Sequence, residues 1–267
     1  IYLISDSTGE TLDRIFLSLK AQFPNFNYKS HQYAFVRTEN QINKILSKCK
    51  KEENVIILYT IVDSKIAKFL SDKCVENEIP CFGVLGDLIL SFSKLLNQKA
   101  IHKPSGQHVM DEEYYKRIEA IQFTMSHDDG KKISDLNKSD VILLGVSRTS
   151  KTPTSIYLAN RGYKTSNIPL VPKQSLPENL IKNPKISCVV GLIADPSRIS
   201  DVRRNRINSL NKNESSTYIN LEKIIAELEE SKKIFKKYNW PVIDVTRKSV
   251  EETAASVIKL YDIMNAK

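Results

Sequence analysis

Apolar and polar positions along the chain alternate with two different periods, which predict strands and helices in turn. Short runs that are almost wholly apolar, such as VIILYTIV at 55–62 and DVILLGV at 140–146, indicate buried strands. Between such runs, segments with apolar residues three and four positions apart, such as 39–49, indicate amphipathic helices. Because strands that alternate with helices favour a parallel sheet covered by helices, the predicted fold class is α/β.

The alternation breaks once, and the break divides the chain. An N-terminal α/β domain is predicted over 1–97, a connector with a helix at 111–125 over 98–137, and a second α/β domain over 138–267. In the first domain, strands are predicted at 1–5, 31–36, 55–62 and 81–86, and helices at 11–22, 39–49, 64–77 and 87–97. In the second, strands are predicted at 140–146, 168–171, 186–194 and 241–246, and helices at 151–161, 197–209, 220–238 and 249–264.

Composition narrows the class of protein. The longest apolar run, at 55–62, is far short of the ~20 residues that a membrane span needs, and no signal peptide is visible, so we expect a cytoplasmic protein without a membrane partner. The 4 cysteines form no C-x-x-C pair, which favours reduced core thiols. A net charge of +9 suits anionic ligands, an acidic partner or nucleic acid. Nucleic acid is not the predicted partner, because no basic strand with interleaved aromatic residues is present.

Residues 140–155, DVILLGVSRTSKTPTS, nearly match the phosphate-binding pattern G-x-x-x-x-G-K-[ST]. Gly145 ends an apolar run, and Lys151 and Thr152 follow at the required spacing, but Ser150 stands where the pattern has its second glycine. In such loops the backbone N–H groups and the start of the next helix hold phosphate, the lysine reaches the terminal phosphate, and the hydroxyl ligates Mg²⁺. Serine is small and can itself donate to an anion, and Arg148 adds a bidentate phosphate donor.

We therefore predict a modified phosphate cradle in a P-loop-type domain with a mainly parallel sheet. An ordinary turn before a capped helix, with Ser150 or Thr152 as the cap and Lys151 in solvent, is the alternative. The predicted nucleotide-binding residues are Gly145, Val146, Ser147, Arg148, Thr149, Ser150, Lys151 and Thr152.

Several ungapped motifs in the same order resemble one family across essentially the whole chain. They are SDSTGET at 5–11, PSGQHVMDEEYYKRIEAIQF at 104–123, HDDG at 127–130, GVSRTSKTPTS at 145–155, LANRGYKTSNIPLVP at 158–172, VGLIADPSRISDVRRNRI at 190–207 and DVTRKSVEETA at 244–254. The chain resembles the bifunctional regulatory proteins of pyruvate, phosphate dikinase and of phosphoenolpyruvate synthase.

The resemblance implies an unusual pair of reactions. Such proteins use ADP to phosphorylate a threonine of the target enzyme, which inactivates it, and use inorganic phosphate to remove that phosphoryl group with release of pyrophosphate. The segment that matches 145–152 is the ADP-binding loop of the family. Thr149-Ser150 resembles the dikinase type, whereas the synthase type tends to have Cys-Gly, so pyruvate, phosphate dikinase is the expected target and the synthase the alternative.

Other polar residues are candidates for the same chemistry. Phosphoryl transfer to a threonine needs carboxylates that orient the hydroxyl or hold Mg²⁺, so Asp128 and Asp129 join Lys151 as predicted catalytic residues, with helix termination as the alternative. Asp195 follows an apolar run and is a candidate Mg²⁺ ligand with Thr152, or a helix cap. Arg203 and Arg206 share a helix face and are candidate phosphate contacts. The loop at 5–11 either binds an anion or caps a helix through Ser7 or Thr8.

Two other classes of function remain open from the sequence. One is a small-molecule kinase that uses the same loop, and the other is a non-catalytic module that binds ADP. A homo-oligomer is compatible with the sequence, which does not decide the oligomeric state.

Overall fold

The computed structural model describes residues 1–25, 27–106, 112–172, 175–185, 187–209 and 218–266, and it divides into two compact units, Ile1–Val109 and Met110–Lys267. Within the described part, each unit contains a four-stranded sheet whose paired strands are parallel, which confirms the α/β class. Three features of the sequence analysis lie outside the described residues: positions 107–111 of the motif at 104–123, the start of the predicted helix at 111, and the start of the predicted strand at 186.

The first unit has the strand order β2-β1-β3-β4. Its strands are β1 (Tyr2–Ser5), β2 (His31–Tyr33), β3 (Ile57–Thr60) and β4 (Cys81–Gly83), and its helices are α1 (Glu10–Lys20), α2 (Glu39–Cys49), α3 (Ser64–Glu76) and α4 (Gly86–Leu96). Because side chains alternate along a strand, Tyr2 and Ile4 pack with α2 and α3, whereas Leu3 packs with α1.

Several of the helices begin at residues whose side chains satisfy otherwise free amide groups. Thr38 accepts from the N–H of Gln41 and the Gln41 side chain accepts in return, which is a capping box. Ser249 and Glu252 make the same reciprocal pair at a helix of the second unit. These local signals fix the helix starts independently of the core.

The second unit has the strand order β6-β5-β7-β8. Its strands are β5 (Val141–Gly145), β6 (Thr165–Pro169), β7 (Cys188–Ile193) and β8 (Val242–Asp244). Its helices are α5 (Glu112–Ser126), α6 (Lys151–Ala159), α7 (Glu178–Lys182), α8 (Pro196–Ser209), α9 (Leu221–Lys237) and α10 (Val250–Asn265), with 3₁₀ turns at Asp128–Gly130 and Ile133–Lys138. The helix of the predicted connector, α5, thus belongs to the second unit.

Strand β5 is the buried centre of this sheet. Val141 and Leu143 pack on one face with Leu158 of α6, and Ile142 and Leu144 pack on the other. The second face also takes Leu180, Phe235 and Trp240. A strand that is covered on both faces has little freedom to move, so the residues that follow it are held in place.

Strand β6 begins at Thr165, earlier than the predicted start at 168. The prediction missed its first residues because they are polar, whereas in the structure they are fully buried. The N–H of Thr165 donates to Thr124 Oγ1 over 3.0 Å, and the Ser166 hydroxyl lies 2.7 Å from that of Ser139. The short helix α7 was not predicted at all. Within the described residues, none of the helices combines the length and the apolar character that crossing a bilayer requires.

Candidate functional site

The loop at 146–150 joins the carboxyl end of β5 to the start of α6. Strand β5 pairs with β6 on one side and β7 on the other, so the strand order reverses at this point. Crevices at such reversals, outside the carboxyl ends of the strands, are where open α/β sheets bind ligands. The sequence prediction of a strand, a turn and a helix at this place is confirmed.

Two residues of this loop adopt the left-handed backbone conformation, Arg148 with φ 73° and Ser150 with φ 58°. Glycine enters this region freely, whereas other residues lose roughly 1–2 kcal/mol. This conformation explains why the general pattern has glycine at the position of Ser150. In this chain serine adopts the same left-handed conformation. Ser150 precedes α6, but its side chain makes no capping hydrogen bond, so the capping alternative does not describe Ser150.

The ammonium group of Lys151 lies inside the loop. Its Nζ donates to the carbonyl oxygen of Val146 over 2.9 Å, and only 6% of the residue is exposed. The Thr149 hydroxyl donates to the same carbonyl over 3.0 Å. Burial lowers the pKa of Lys151 to about 8, an effect that the nearby carboxylates of Asp129 and Asp128 oppose. The solvated lysine of the alternative interpretation is therefore wrong.

A cavity of about 300 Å³ lies against the loop and the start of α6. Its polar wall consists of Asp129, Ser147, Arg148, Ser150, Lys151 and Thr152. Val146 and Thr149 are buried residues of the loop and do not line the cavity. The residues that line the cavity thus include two cations, the first residues of a helix and one carboxylate.

Asp128 is held against the start of α6. Its Oδ1 accepts from the Thr152 hydroxyl over 3.0 Å and from Asn167 Nδ2 over 2.5 Å. The same Nδ2 lies 2.9 Å from Thr152 Oγ1, so the three side chains close a triangle. The backbone N–H of Asn167 donates to the carbonyl of His127 over 3.2 Å, which fastens the HDDG turn to β6.

Asp129 differs from its neighbour. It is exposed, has φ 51°, and lines the cavity. The turn therefore gives the two adjacent aspartates different surroundings: Asp128 contacts Thr152, and Asp129 lines the cavity.

Arg203 contacts the backbone of the loop and does not face the cavity. Its guanidinium pairs with Glu227 over 2.7 Å, donates to the carbonyl of Tyr218 over 3.0 Å, and lies 3.4 Å from the carbonyl of Ser147. The Ser147 hydroxyl in turn lies 2.9 Å from that of Tyr218. Arg203 is 1% exposed and does not line the cavity, so in the structure it holds the loop's backbone.

The remaining candidates of the second unit lie elsewhere. Asp195 Oδ1 caps α8 by accepting from the N–H groups of Ser197 and Arg198, at 2.9 and 3.1 Å. Asp195 lines a different cavity, of about 510 Å³, at the ends of β7 and β8. Arg206 is exposed on α8 and is not among the cavity-lining residues at the loop.

In the first unit, the loop at 5–11 lines a polar cavity of about 190 Å³, together with Thr60 and Lys103. The Ser105 hydroxyl donates to that of Ser7 over 3.0 Å. The residue that precedes α1 is Gly9, with φ 87° and no side-chain cap, so capping by Ser7 or Thr8 was wrong. His102 Nδ1 lies 2.7 Å from the carbonyl of Val62.

Sequence reasoning did not single out Asn167, Tyr218 or Glu227. Asn167 sits in a polar run that does not resemble a buried strand, and the roles of Tyr218 and Glu227 depend on contacts distant in sequence. The resemblance contained the only signal for Asn167, because it lies within the quoted motif at 158–172.

Fold and site together define an α/β protein whose second unit holds a buried lysine in a strand–loop–helix junction beside two aspartates. The chain belongs to the kinase/pyrophosphorylase family, whose model matches residues 1–258. Three similar proteins are named pyruvate, phosphate dikinase regulatory proteins. The one from Pelagibacter ubique (strain HTCC1062) is 67% identical over 98% of this chain and 96% of its own length. Those from Chelativorans sp. (strain BNC1) and Rhizorhabdus wittichii are 45% and 42% identical, over 97% and 100% of this chain and 95% and 97% of their own lengths.

Proposed function

We propose that the chain is a protein threonine kinase that uses ADP to inactivate pyruvate, phosphate dikinase, and a phosphorylase that reactivates it with inorganic phosphate, both in the cytoplasm. The observation that carries the proposal is the Lys151 ammonium, which is buried within a loop that opens onto a polar cavity at a helix start. The family to which the chain belongs and the names of its relatives support it.

One site serves both directions. In the kinase direction the β-phosphoryl group of ADP passes to the threonine hydroxyl, which gives phosphothreonine, AMP and a proton. In the phosphorylase direction inorganic phosphate attacks the phosphothreonine, which gives threonine and pyrophosphate. Both reactions place several negative charges together, so positioning and charge neutralisation supply most of the catalysis. Lys151 and Arg148 provide the charge at the cavity wall, and a bound Mg²⁺ would add to it.

Asp129 is the carboxylate that we assign to the acceptor threonine. It lies at the cavity wall and is exposed, whereas Asp128 is already engaged with Thr152 and Asn167. A carboxylate at hydrogen-bonding distance orients a hydroxyl and accepts its proton as the phosphoryl group arrives.

The test is incubation of the chain with purified pyruvate, phosphate dikinase and ADP. We expect phosphothreonine on the dikinase by mass spectrometry, and AMP as the second product. A parallel reaction with phosphoenolpyruvate synthase decides the target. Turnover on nucleosides or sugars without a protein acceptor would indicate a small-molecule kinase, and ADP binding without any transfer would indicate a binding module. Either result contradicts the proposal.

Ser150 offers a test of the loop's backbone. Ser150→Gly should keep the affinity for ADP within about threefold, because glycine adopts the observed left-handed conformation without strain. Ser150→Val should weaken binding at least about tenfold, since a β-branched residue strongly disfavours that conformation. Calorimetric titration with ADP measures both. Equal losses in the two variants would mean that the serine hydroxyl, rather than the backbone, is what the loop needs.

Binding should depend on pH through Lys151. The ligand-free pKa of about 8 lies below the ordinary lysine value, so the ammonium group loses its proton as the pH rises through 8. Because the anion needs the charged form, the dissociation constant for ADP should rise by roughly tenfold per pH unit above 8. Lys151→Arg keeps its charge and should bind more weakly but without this rise between pH 7.5 and about 9.5. Titrations of both proteins across this range measure the difference, and parallel curves would contradict the assignment.

A further inference from the structure

The carbonyl group of Ser147 faces Arg203, and this contact fixes the direction of the N–H group that follows it. The peptide unit between Ser147 and Arg148 is trans, so its carbonyl and its N–H point in opposite directions. Arg203 Nη2 donates to the Ser147 carbonyl over 3.4 Å, and Arg203 does not line the cavity at the loop, whereas Ser147 and Arg148 do. The N–H of Arg148 therefore points away from the buried guanidinium, and no described backbone carbonyl accepts a hydrogen bond from it.

The backbone of Arg148 is strained in this orientation. Its φ of 73° lies in the left-handed region, which residues other than glycine avoid. Rotation of the peptide between Ser147 and Arg148 by half a turn would return this φ to a negative value, because the ψ of the first residue and the φ of the second change together. The same rotation would exchange the N–H that an anion needs for a carbonyl oxygen that repels it. The observed loop therefore needs a contact that favours the strained orientation.

Arg203 provides a charged donor that is itself fixed. Its Nη2 lies 2.7 Å from Glu227 Oε2 and its Nη1 lies 3.5 Å from Glu227 Oε1, so the carboxylate holds the planar guanidinium at two points. Nη1 also donates to the carbonyl of Tyr218 over 3.0 Å, and the guanidinium carbon lies 4.6 Å from the centre of the Tyr218 ring. Hydrogen bonds from charged donors are stronger than those between neutral groups, so this guanidinium favours the peptide orientation in which the carbonyl faces it.

Tyr218 holds a second atom of Ser147. The Tyr218 hydroxyl lies 2.9 Å from that of Ser147, and the Ser200 hydroxyl donates to the carbonyl of Ile219 over 3.0 Å. Helix α8 thus binds the chain at 218–219 through Ser200 and again, one turn later, through Arg203. Ser147 is held at both its carbonyl and its hydroxyl by residues that do not line the cavity.

We propose that Arg203 is a positioning residue that, together with Glu227, holds the peptide between Ser147 and Arg148 in the orientation that presents the Arg148 N–H to an anion. This role rests on the proposed function for the identity of the anion, which is the diphosphate of ADP. It differs from the direct phosphate contact that the sequence suggested for Arg203.

The first experiment removes the guanidinium without leaving a buried charge. Arg203→Met combined with Glu227→Met replaces the ion pair by apolar side chains, a change that proteins often tolerate. We expect thermal unfolding close to that of the wild type, but a dissociation constant for ADP that is at least about tenfold higher by calorimetric titration. Arg204→Met, at an exposed arginine of the same helix, is the control and should bind ADP within about twofold of the wild type. Wild-type affinity in the folded double variant overturns the proposal.

Arg203→Lys provides the same test if the double variant does not fold. It keeps a cation beside Glu227, but a single ammonium group cannot occupy both Nη positions of the guanidinium. ADP binding should therefore weaken by at least about threefold. Unchanged affinity in this variant contradicts the proposal as well.

A comparison of alanine and glycine at position 148 separates positioning from direct contact. Arg148→Ala removes the side chain and keeps the backbone strain, whereas Arg148→Gly removes both. In the alanine background, the paired methionine change at Arg203 and Glu227 should weaken ADP binding at least about tenfold. In the glycine background it should weaken binding less than about threefold, because glycine adopts the observed conformation without strain. Equal losses in the two backgrounds would mean that Arg203 does not act through this peptide.

The positioning role and the proposed function fail separately. If the wild type phosphorylates pyruvate, phosphate dikinase and the double variant binds ADP like the wild type, the kinase stands and the positioning role does not. If ADP binding shows the expected dependence on position 148 and no protein acceptor is phosphorylated, the positioning role stands and the kinase does not. A wild type that does not bind ADP overturns both.

Discussion

Replacement of Lys151 by methionine should abolish both proposed reactions, by about 10³-fold or more in kcat/KM. Methionine fills the same buried volume but provides no positive charge for the phosphoryl group. The loss should be equal in the two directions, because both use one cradle. Threonine phosphorylation with ADP and pyrophosphate release with inorganic phosphate, measured on the same preparation, test this. A variant that keeps either reaction at the wild-type rate would remove Lys151 from the site.

The same substitution should not weaken the ligand-free fold. Burial lowers the pKa of Lys151 to about 8, so the folded chain loses this proton more readily than the unfolded one. The contribution of Lys151 to the free energy of unfolding of the wild type therefore rises with pH between about 8 and the ordinary lysine pKa of ~10.4. The methionine variant should lack that rise. Lys182→Met, at an exposed lysine that pairs with Glu178, is the matched control and should leave both reactions intact. Chemical denaturation at pH 7.5 and 9.5 provides the comparison.

Gly145→Ala should have the second largest effect, on both folding and binding. An added Cβ would lie 2.6 Å from the carbonyl oxygen of Leu192 and 2.7 Å from Thr149 Oγ1. The first contact is backbone of the neighbouring strand and cannot move away cheaply, so we expect a loss of about 1–3 kcal/mol in unfolding free energy. Displacement of Thr149, which supports the Val146 carbonyl, should also weaken ADP binding by at least about tenfold.

Gly86→Ala is the control for this prediction. A Cβ at Gly86 meets no atom within 4 Å, and the residue lies at the start of α4. We expect its stability and its ADP affinity to remain close to those of the wild type. Calorimetry of unfolding and of ADP titration compares the two alanine variants. Normal ADP binding by Gly145→Ala would show that the loop tolerates a shift at its base.

Much of the fold could be predicted because its strands and helices have strong local signals. Strands β5 and β7 are apolar on both faces, as the centre of a parallel sheet requires, and α2 has a capping box at Thr38 and Gln41. The start of β6 could not be predicted in this way. Its first three residues are polar, and only contacts with Thr124, Ser139 and Asp128 make their burial favourable.

In the candidate site, too, local sequence predicted some features, and contacts between distant segments determined the others. The order of residues in one segment revealed the loop at 145–152, because strand, turn, lysine and helix are adjacent in sequence. The pairing of Asp128 with Thr152 and Asn167 joins three separate segments, so spacing along the chain contained no information about it. At Asp195 the local sequence was ambiguous, because a position at a strand end suits both a cation ligand and a helix cap. The structure shows the cap.

Under the proposed function, the position of the Lys151 ammonium affects how tightly an anion as small as inorganic phosphate would bind. Since Nζ is already fixed on the Val146 carbonyl, an arriving anion meets a cation in place and does not have to recruit a mobile side chain from water. Fixing such a side chain at the moment of association removes about 0.5–1.5 kcal/mol of affinity. ADP has a nucleoside to offset that loss, whereas orthophosphate has none, so in the proposed pair of reactions the advance ordering of Lys151 would matter most for the phosphate-dependent one.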